Sequence, residues 1–146
     1  MVTIETPNSR PPRKRGPNWE KYGWLYMRFS GAILVAMIFT HLFVNLYAPE
    51  GGVKAINWAF VAGKWANPFW QWFDGLLLWL ALIHGTNGMR TIVNDYAERA
   101  WVRKTLVISL WSVCAILIIL GTLVITTFDP CNDANAVNYL PEICAK

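Results

Sequence analysis

The sequence predicts an all-α integral membrane protein with three transmembrane helices. Hydrophobic residues make up 55% of its 146 residues, and nine tryptophans are more than a soluble domain of this size usually carries. Three apolar stretches are long enough to cross a bilayer core of about 30 Å, which takes about 20 helical residues. They run from Phe29 to Tyr47, from Phe69 to Ile92 and from Thr105 to Phe128. A soluble bundle is disfavoured because Thr105–Phe128 has neither a charged residue nor a polar face.

Residues 1–23 precede the first span and form a proline-rich, basic arm. They show no signal-peptide pattern, because the first apolar run begins only after a long polar start. We interpret the arm as an extended cytoplasmic segment whose charges set the topology, the alternative being a docking strip for an acidic partner or anionic lipid. The chain thus divides into the arm, a three-span anchor at 24–128 and an outer-face tail at 129–146.

The distribution of Lys and Arg predicts the orientation. Ten of the thirteen lie in residues 1–28, before the first span, or in residues 90–104, from the inner end of the second span to the start of the third. Because cytoplasmic segments carry the excess of basic residues, we expect the N-terminus inside and the C-terminus outside a plasma membrane. The net charge of +4 reflects this bias and gives no reason to invoke nucleic acid.

The three cysteines fit the same topology. Cys114 lies in the middle of a span and is expected to be an inert apolar residue. Cys131 and Cys144 both lie in the outer tail, where they can form a disulfide or remain separate. Their spacing does not match a metal site.

Both histidines of the chain, His41 and His84, lie inside predicted spans, where an ionisable residue is costly unless it is used. Hydrogen bonding between helices is the structural alternative. We favour metal or haem ligation, and haem suits the neighbouring Gly85 and Gly88, since a flat macrocycle needs small residues beside it. Close helix packing explains those glycines equally well. Zinc or iron–sulfur sites would need Cys or carboxylate ligands at the same depth, where we expect none.

The two histidines are predicted to lie at different depths. His41 comes six residues before Tyr47 at the outer end of its span, and His84 six residues before Arg90 at the inner end of its own. A helical rise of 1.5 Å per residue then leaves them about 12 Å apart in depth. Two ligands of one iron must be about 4 Å apart, by analogy with zinc–imidazole bonds. We therefore expect two haems, each completed by another chain.

A polar stripe continues from His84 toward the inner surface. Asp95 follows His84 by eleven residues, so the two share a helix face, with Gly88 between them. Ser30 precedes His41 by eleven residues in the same phase. It either lines this face or bonds back to its own helix.

The arrangement H-x10-D-Y, formed by His84, Asp95 and Tyr96, resembles the small membrane-anchor subunit (cytochrome b, D-type) of succinate:quinone oxidoreductase, that is, succinate dehydrogenase or complex II. The stretch MRFSGAIL at 27–34 is similar to the Arg-x-Ser-Gly start of the first span in related anchors. The resemblance covers residues 22–128. The basic arm and the cysteine-containing tail lie outside the common pattern and point to an actinobacterial, mycobacterial-type version.

The resemblance implies a fold that is half of a two-subunit haem-binding helix bundle. His84 would ligate an inner haem b, and His41, which single-haem members lack, would ligate an outer one, as in the two-haem class associated with menaquinone. Tyr96 would bond a quinone carbonyl, and Asp95 would orient the quinone or supply protons. Arg28 would meet a haem propionate or a quinone oxygen, and Ser30 and Gly88 would lie near the haem or quinone.

The implied partners are a flavoprotein that oxidises succinate, an iron–sulfur protein docked on the cytoplasmic face and a second haem-ligating anchor. The chain itself would carry electrons to menaquinone without substrate chemistry of its own. Two alternatives remain open. One is a haem-free structural anchor or small transporter with histidines as buried polar contacts, and the other is the anchor of a fumarate reductase, which has the same architecture.

Overall fold

The computed structural model describes residues 18–132 and 136–145, and this part of the chain is built from helices and contains no strand. In chain order the elements are α1 (Trp19–Leu42), a π-helical turn (Phe43–Tyr47), a 3-10 turn (Gly52–Ala55), α2 (Trp58–Trp65), α3 (Pro68–Tyr96), α4 (Ala100–Thr127), α5 (Ala136–Tyr139) and α6 (Pro141–Cys144). Helices α1, α3 and α4 are long and apolar enough to cross a membrane. The predicted all-α, three-span fold is confirmed.

Each long helix begins before the apolar stretch that predicted it, and α3 also ends after its stretch, because hydropathy marks the part in hydrocarbon and the helix continues into the interface. α1 begins at Trp19, where the side chain of Asn18 accepts a hydrogen bond from the backbone N–H of Lys21. The last residues of the predicted arm, 19–23, are therefore helical, and residues 1–17 lie outside the described residues. α3 begins in the same way, with Asn67 as its cap and Pro68 in its first turn.

α3 is the central helix and packs against both α1 and α4. Contacts between Ser30 and His84 and between His41 and Asp74 make α1 and α3 antiparallel. α4 runs antiparallel to α3, since Leu78 lies against Gly121. The start of α1, the end of α3 and the start of α4 therefore share one end of the bundle, which is the end predicted to be cytoplasmic.

Small residues let the helices approach closely. A methyl group at Gly121 would overlap the side chain of Leu78, and one at Gly75 would lie 3.7 Å from Ile125. Trp79 adds a hydrogen bond from its indole N–H to Thr122 on α4, at 3.0 Å. Packing through small residues and polar contacts is the expected way for helices to associate in lipid, where burying apolar surface gives little gain.

Most apolar side chains of the spans point away from the bundle. In the first span, only 17% of the most apolar stretch is buried inside the protein. In the second and third spans the buried share is 6% each. A three-helix bundle this open exposes its surface to lipid or to other membrane subunits.

A small cap covers the opposite end of the bundle, which we call the outer end after its predicted orientation. Phe128, just after α4, contacts the ring of Trp65 at 5.1 Å between ring centroids. Leu140 of the tail packs against Gly63. A Cβ added to this glycine would lie 3.3 Å from the leucine side chain. A disulfide joins Cys131 to Cys144 and closes the tail, while Cys114 is buried and free. Of the two possibilities left open by the sequence, the structure has the disulfide.

Candidate functional site

The inner histidine, His84, is held by a serine of the first span. Nδ1 of His84 lies 2.8 Å from Oγ of Ser30, which is 3% exposed. Ser30 Oγ also lies 2.6 Å from the backbone carbonyl of Tyr26 and donates to it. The predicted back-bond of Ser30 is therefore present, and the same hydroxyl reaches the histidine as well. A Cβ at Gly31 would lie 3.4 Å from the imidazole edge, so the helices meet closely here.

These hydrogen bonds assign the proton on the His84 ring. The single hydroxyl hydrogen of Ser30 is used by the carbonyl of Tyr26, so its oxygen can only accept from the imidazole. Nδ1 of His84 therefore carries the hydrogen, and Nε2 carries the free lone pair. This is the tautomer that a histidine needs to bind a metal through Nε2.

The outer histidine, His41, is held by a carboxylate of the second span. Its Nδ1 donates to Oδ1 of Asp74 at 3.1 Å. The other carboxylate oxygen of Asp74 accepts from Nζ of Lys64 and from the indole N–H of Trp65, each at 2.8 Å. A carboxylate paired with an ammonium group only accepts hydrogen bonds, so His41 has the same tautomer as His84.

The lone pair of each ring is open to the surface of the chain. No described residue bonds to Nε2 of either histidine. Among the described residues, the buried side-chain nitrogen or oxygen that lacks a hydrogen-bond partner is Nε of Arg90, so neither Nε2 atom is buried. The side chain of His41 is 38% exposed. Each imidazole is thus oriented through Nδ1 and accessible at Nε2.

The contacts between the helices give the separation of the two rings. His41 is level with Asp74, which precedes His84 by ten residues on the same helix. Ten residues of α-helix span about 15 Å. The two rings therefore lie too far apart along the bundle to bind one iron, in agreement with the depths expected from the sequence.

One expectation from the sequence was wrong: a carboxylate, that of Asp74, does lie at the depth of His41. It does not create a conventional ion site, because no group of three or more His, Cys, Asp or Glu side chains capable of holding a metal ion occurs among the described residues. The donor set fits a haem, to which each chain need contribute only one imidazole.

Arg28 and Gly88 lie close to side chains of α1. The guanidinium of Arg28 lies 3.5 Å from the centroid of the Trp24 ring, an exposed cation–π contact near the inner end of α1. Gly88 faces α1, where a Cβ would lie 3.6 Å from the terminal methyl of Met27. For Gly88 the structure thus supplies the close-packing role that the sequence left open.

Asp95 and Tyr96 lie at the inner end of α3, of which Tyr96 is the last residue. Both side chains are exposed, Tyr96 by 82%. Eleven helical residues place Asp95 about 17 Å from His84 along the axis. Their exposure leaves both side chains accessible to a ligand or a partner.

A groove of about 510 Å³ lies elsewhere, between the outer halves of α3 and α4. Trp72, Gly75 and Trp79 line it on one side, and Thr122 and Thr126 on the other. None of the site residues predicted from the sequence borders it. The two threonine hydroxyls already bond to carbonyls of their own helix, so the groove is essentially apolar.

Sequence reasoning missed Asp74, Lys64 and Trp65, which complete the outer site. A signal for Asp74 was present, because an acidic residue inside an apolar span is a functional candidate by default. Lys64 and Trp65 carried no such signal. They belong to the short helix α2, whose position over the end of the bundle depends on tertiary packing.

Comparisons with known proteins agree with this architecture. Residues 4–124 match the family described as succinate dehydrogenase/fumarate reductase transmembrane subunit. The chain is also 30% identical over 105 residues to the succinate dehydrogenase hydrophobic membrane anchor subunit of Thermoplasma acidophilum, a match that covers 70% of this chain and 85% of that protein. The family match includes both histidines and the Asp95–Tyr96 pair.

Proposed function

The chain belongs to the family of succinate dehydrogenase and fumarate reductase transmembrane subunits, and on this basis we propose that it binds haem b and carries electrons from an iron–sulfur subunit to menaquinone. Membership makes it a membrane-anchor subunit of such a complex, with three spans in the membrane. The observation that carries the haem proposal is that the two histidines have the same hydrogen-bonding pattern. Each has Nδ1 bonded to the neighbouring span and Nε2 open.

Two haems, one at His41 and one at His84, fit this arrangement better than one. The rings are about 15 Å apart along the bundle, so each iron would need its second ligand from another chain. A second haem-ligating anchor, packed on the exposed faces of the spans, would supply it. When bound, a haem would supply one-electron redox chemistry.

The residues behind the ligands hold them in place. Ser30 and Asp74 orient the two imidazoles through Nδ1. Arg28, an exposed cation at the inner end of α1, is available to a propionate of the inner haem or to a quinone oxygen. Gly88 keeps α1 and α3 close beside that site.

The quinone would bind at the inner end of α3. The exposed hydroxyl of Tyr96 would donate to a quinone carbonyl, and Asp95 beside it would orient the quinone or deliver protons. Because both side chains are exposed on this chain, the iron–sulfur subunit and the second anchor would complete the site. The flavoprotein that oxidises succinate would bind to the iron–sulfur subunit on the cytoplasmic side of the plasma membrane.

The histidine pair, the basic arm and the disulfide-closed tail support our proposal that the protein is an anchor of the two-haem, actinobacterial type. This type is associated with menaquinone. Its inner haem would be held by His84 and its outer haem by His41.

The test is a reduced-minus-oxidised absorption spectrum of the purified complex. His84→Ala should remove one b-type haem and His41→Ala the other, with all subunits still present on size-exclusion chromatography. Loss of all haem from either single variant, in an assembled complex, would instead mean one shared haem. A wild-type complex without b-type absorption would mean a haem-free anchor.

A further inference from the structure

The partners of the two histidines differ in charge. His84 bonds to a neutral hydroxyl, that of Ser30, whereas His41 bonds to the carboxylate of Asp74. The carboxylate is sheltered, since the side chain of Asp74 is 11% exposed and that of its partner Lys64 is 8% exposed. An ion pair in such surroundings is costly to build, and apolar residues would often serve stability as well.

The surroundings of Asp74 fix both of its oxygens. Oδ1 faces His41, while Oδ2 receives the ammonium group of Lys64 and the indole N–H of Trp65. Lys64 also donates to Oδ1 of Asn45 at 3.3 Å, and the amide of Asn45 donates to the backbone carbonyl of His41 at 2.6 Å. A closed ring of hydrogen bonds thus joins α1, α2 and α3 around the outer histidine.

The backbone near His41 is adapted to this ring. α1 changes to a π-helical turn, Phe43–Tyr47, directly after the histidine, and Asn45 lies within that turn. π-Helical turns inside α-helices frequently accompany functional sites because they redirect a side chain. On the other side, Lys64 and Trp65 end α2, which is contacted by Phe128, just after α4, and by Leu140 of the tail.

An acceptor behind a metal-bound imidazole changes the properties of the metal. A carboxylate at Nδ1 makes Nε2 a stronger electron donor and stabilises the more oxidised metal, and a cation beside the carboxylate opposes this effect. We infer that Asp74 is the positioning residue of His41, and that Asp74 and Lys64 together set the reduction potential of the outer haem. This inference rests on the proposed function, because it requires a haem at His41.

The experiment is an optical redox titration of the whole complex carrying Asp74→Asn. This variant keeps a hydrogen-bond acceptor of the same shape but removes the charge. It should raise the midpoint potential of the haem that His41→Ala removes, and leave that of the other haem unchanged. Glu50→Gln is the matched control, since it removes an exposed outer carboxylate by the same chemical change and should shift neither potential.

Lys64→Gln provides the second measurement. Removing the cation while keeping the carboxylate should lower the potential of the same haem, so the two variants shift it in opposite directions. If Asp74→Asn assembles without that haem, two other results decide. A lowered potential in Lys64→Gln together with recovery of the haem in Asp74→Glu supports the inference. Unchanged potentials in variants that retain both haems would overturn the inference.

The outcomes also separate this inference from the proposed function. If His41→Ala keeps both haems, the ligand assignment fails, and the role of Asp74 fails with it. If His41→Ala loses one haem while the charge variants shift nothing, the ligand stands and only the role of Asp74 and Lys64 is refuted.

Discussion

Ser30 and His84 connect the first and second spans through a single hydroxyl, which accepts from Nδ1 of the imidazole at 2.8 Å and donates to the carbonyl of Tyr26 at 2.6 Å. Because the serine gives its one hydrogen to the carbonyl, its oxygen can only accept from the imidazole, so the hydrogen of the ring lies on Nδ1. The first span thus determines the tautomer of a histidine that belongs to the second. A change confined to Ser30 should therefore alter the tautomer or the orientation of the His84 ring, and with it the availability of Nε2.

Ser30→Ala is predicted to weaken haem binding at His84 without changing the haem at His41. Loss of a group that orients a metal ligand typically costs 10- to 100-fold in affinity. The measurement is the haem content of the purified complex, resolved spectrally into its two components. Ser109→Ala, an exposed serine on α4, is the control and should leave both haems in place. Normal occupancy and an unchanged spectrum in Ser30→Ala would contradict the role given to this hydroxyl.

The sequence was sufficient to predict the three spans and to single out the two histidines as candidate site residues, because both leave local signals. A run of apolar residues and an ionisable residue within it can be read one segment at a time. The bond of Ser30 to its own helix was one of the two possibilities left open by the sequence, since it joins residues one turn apart. All of these predictions depend on neighbours along the chain.

The partners of the histidines were not predictable in the same way. His41 and Asp74 are 33 residues apart, and Ser30 and His84 are 54 residues apart. Which residues of two spans meet depends on the register of the helices, and this register follows from close contacts such as Leu78 on Gly121. Lys64 reaches the site only because α2 folds over the bundle, a tertiary feature with no local signal.

Gly121→Ala is predicted to destabilise the packing of α4 on α3. The added methyl group would overlap the side chain of Leu78, and overpacking of this kind costs about 1–3 kcal/mol. Thermal unfolding of the purified complex measures the effect. Gly23→Ala is the control, because a Cβ there meets nothing within 4 Å.

The loss should be partly recovered in the double variant with Leu78→Ala, which removes the overlapping atoms. Such recovery identifies the overlap as the cause, since two independent changes would simply add their costs. Equal stability of Gly121→Ala and Gly23→Ala would show that the side chain of Leu78 or the helices can move aside at no cost.

Tyr96→Phe is predicted to slow quinone reduction. The change keeps the ring and deletes a hydroxyl, which should cost about 1–3 kcal/mol if that hydroxyl bonds a quinone carbonyl. Electron transfer from succinate to a quinone should fall, while succinate oxidation with a soluble artificial acceptor should stay normal. Tyr47→Phe at the outer end of the first span, where the ring is 79% exposed, is the matched control. Normal quinone reduction in Tyr96→Phe would place the working quinone site elsewhere.

The orientation of the chain underlies the quinone assignment and can be tested with a membrane-impermeant thiol reagent. The tail and residue 50 belong to one end of the bundle, and Ala97 belongs to the other, where the basic segment 90–104 is predicted to face the cytoplasm. Intact cells should show no labelling of Cys131 and Cys144 until a reductant opens their disulfide, and labelling afterwards. Glu50→Cys should react from outside without reductant. Ala97→Cys should react only in inside-out vesicles. Labelling of Ala97→Cys in intact cells would invert the chain, move Asp95 and Tyr96 to the outer face and remove them from reach of a cytoplasmic iron–sulfur subunit.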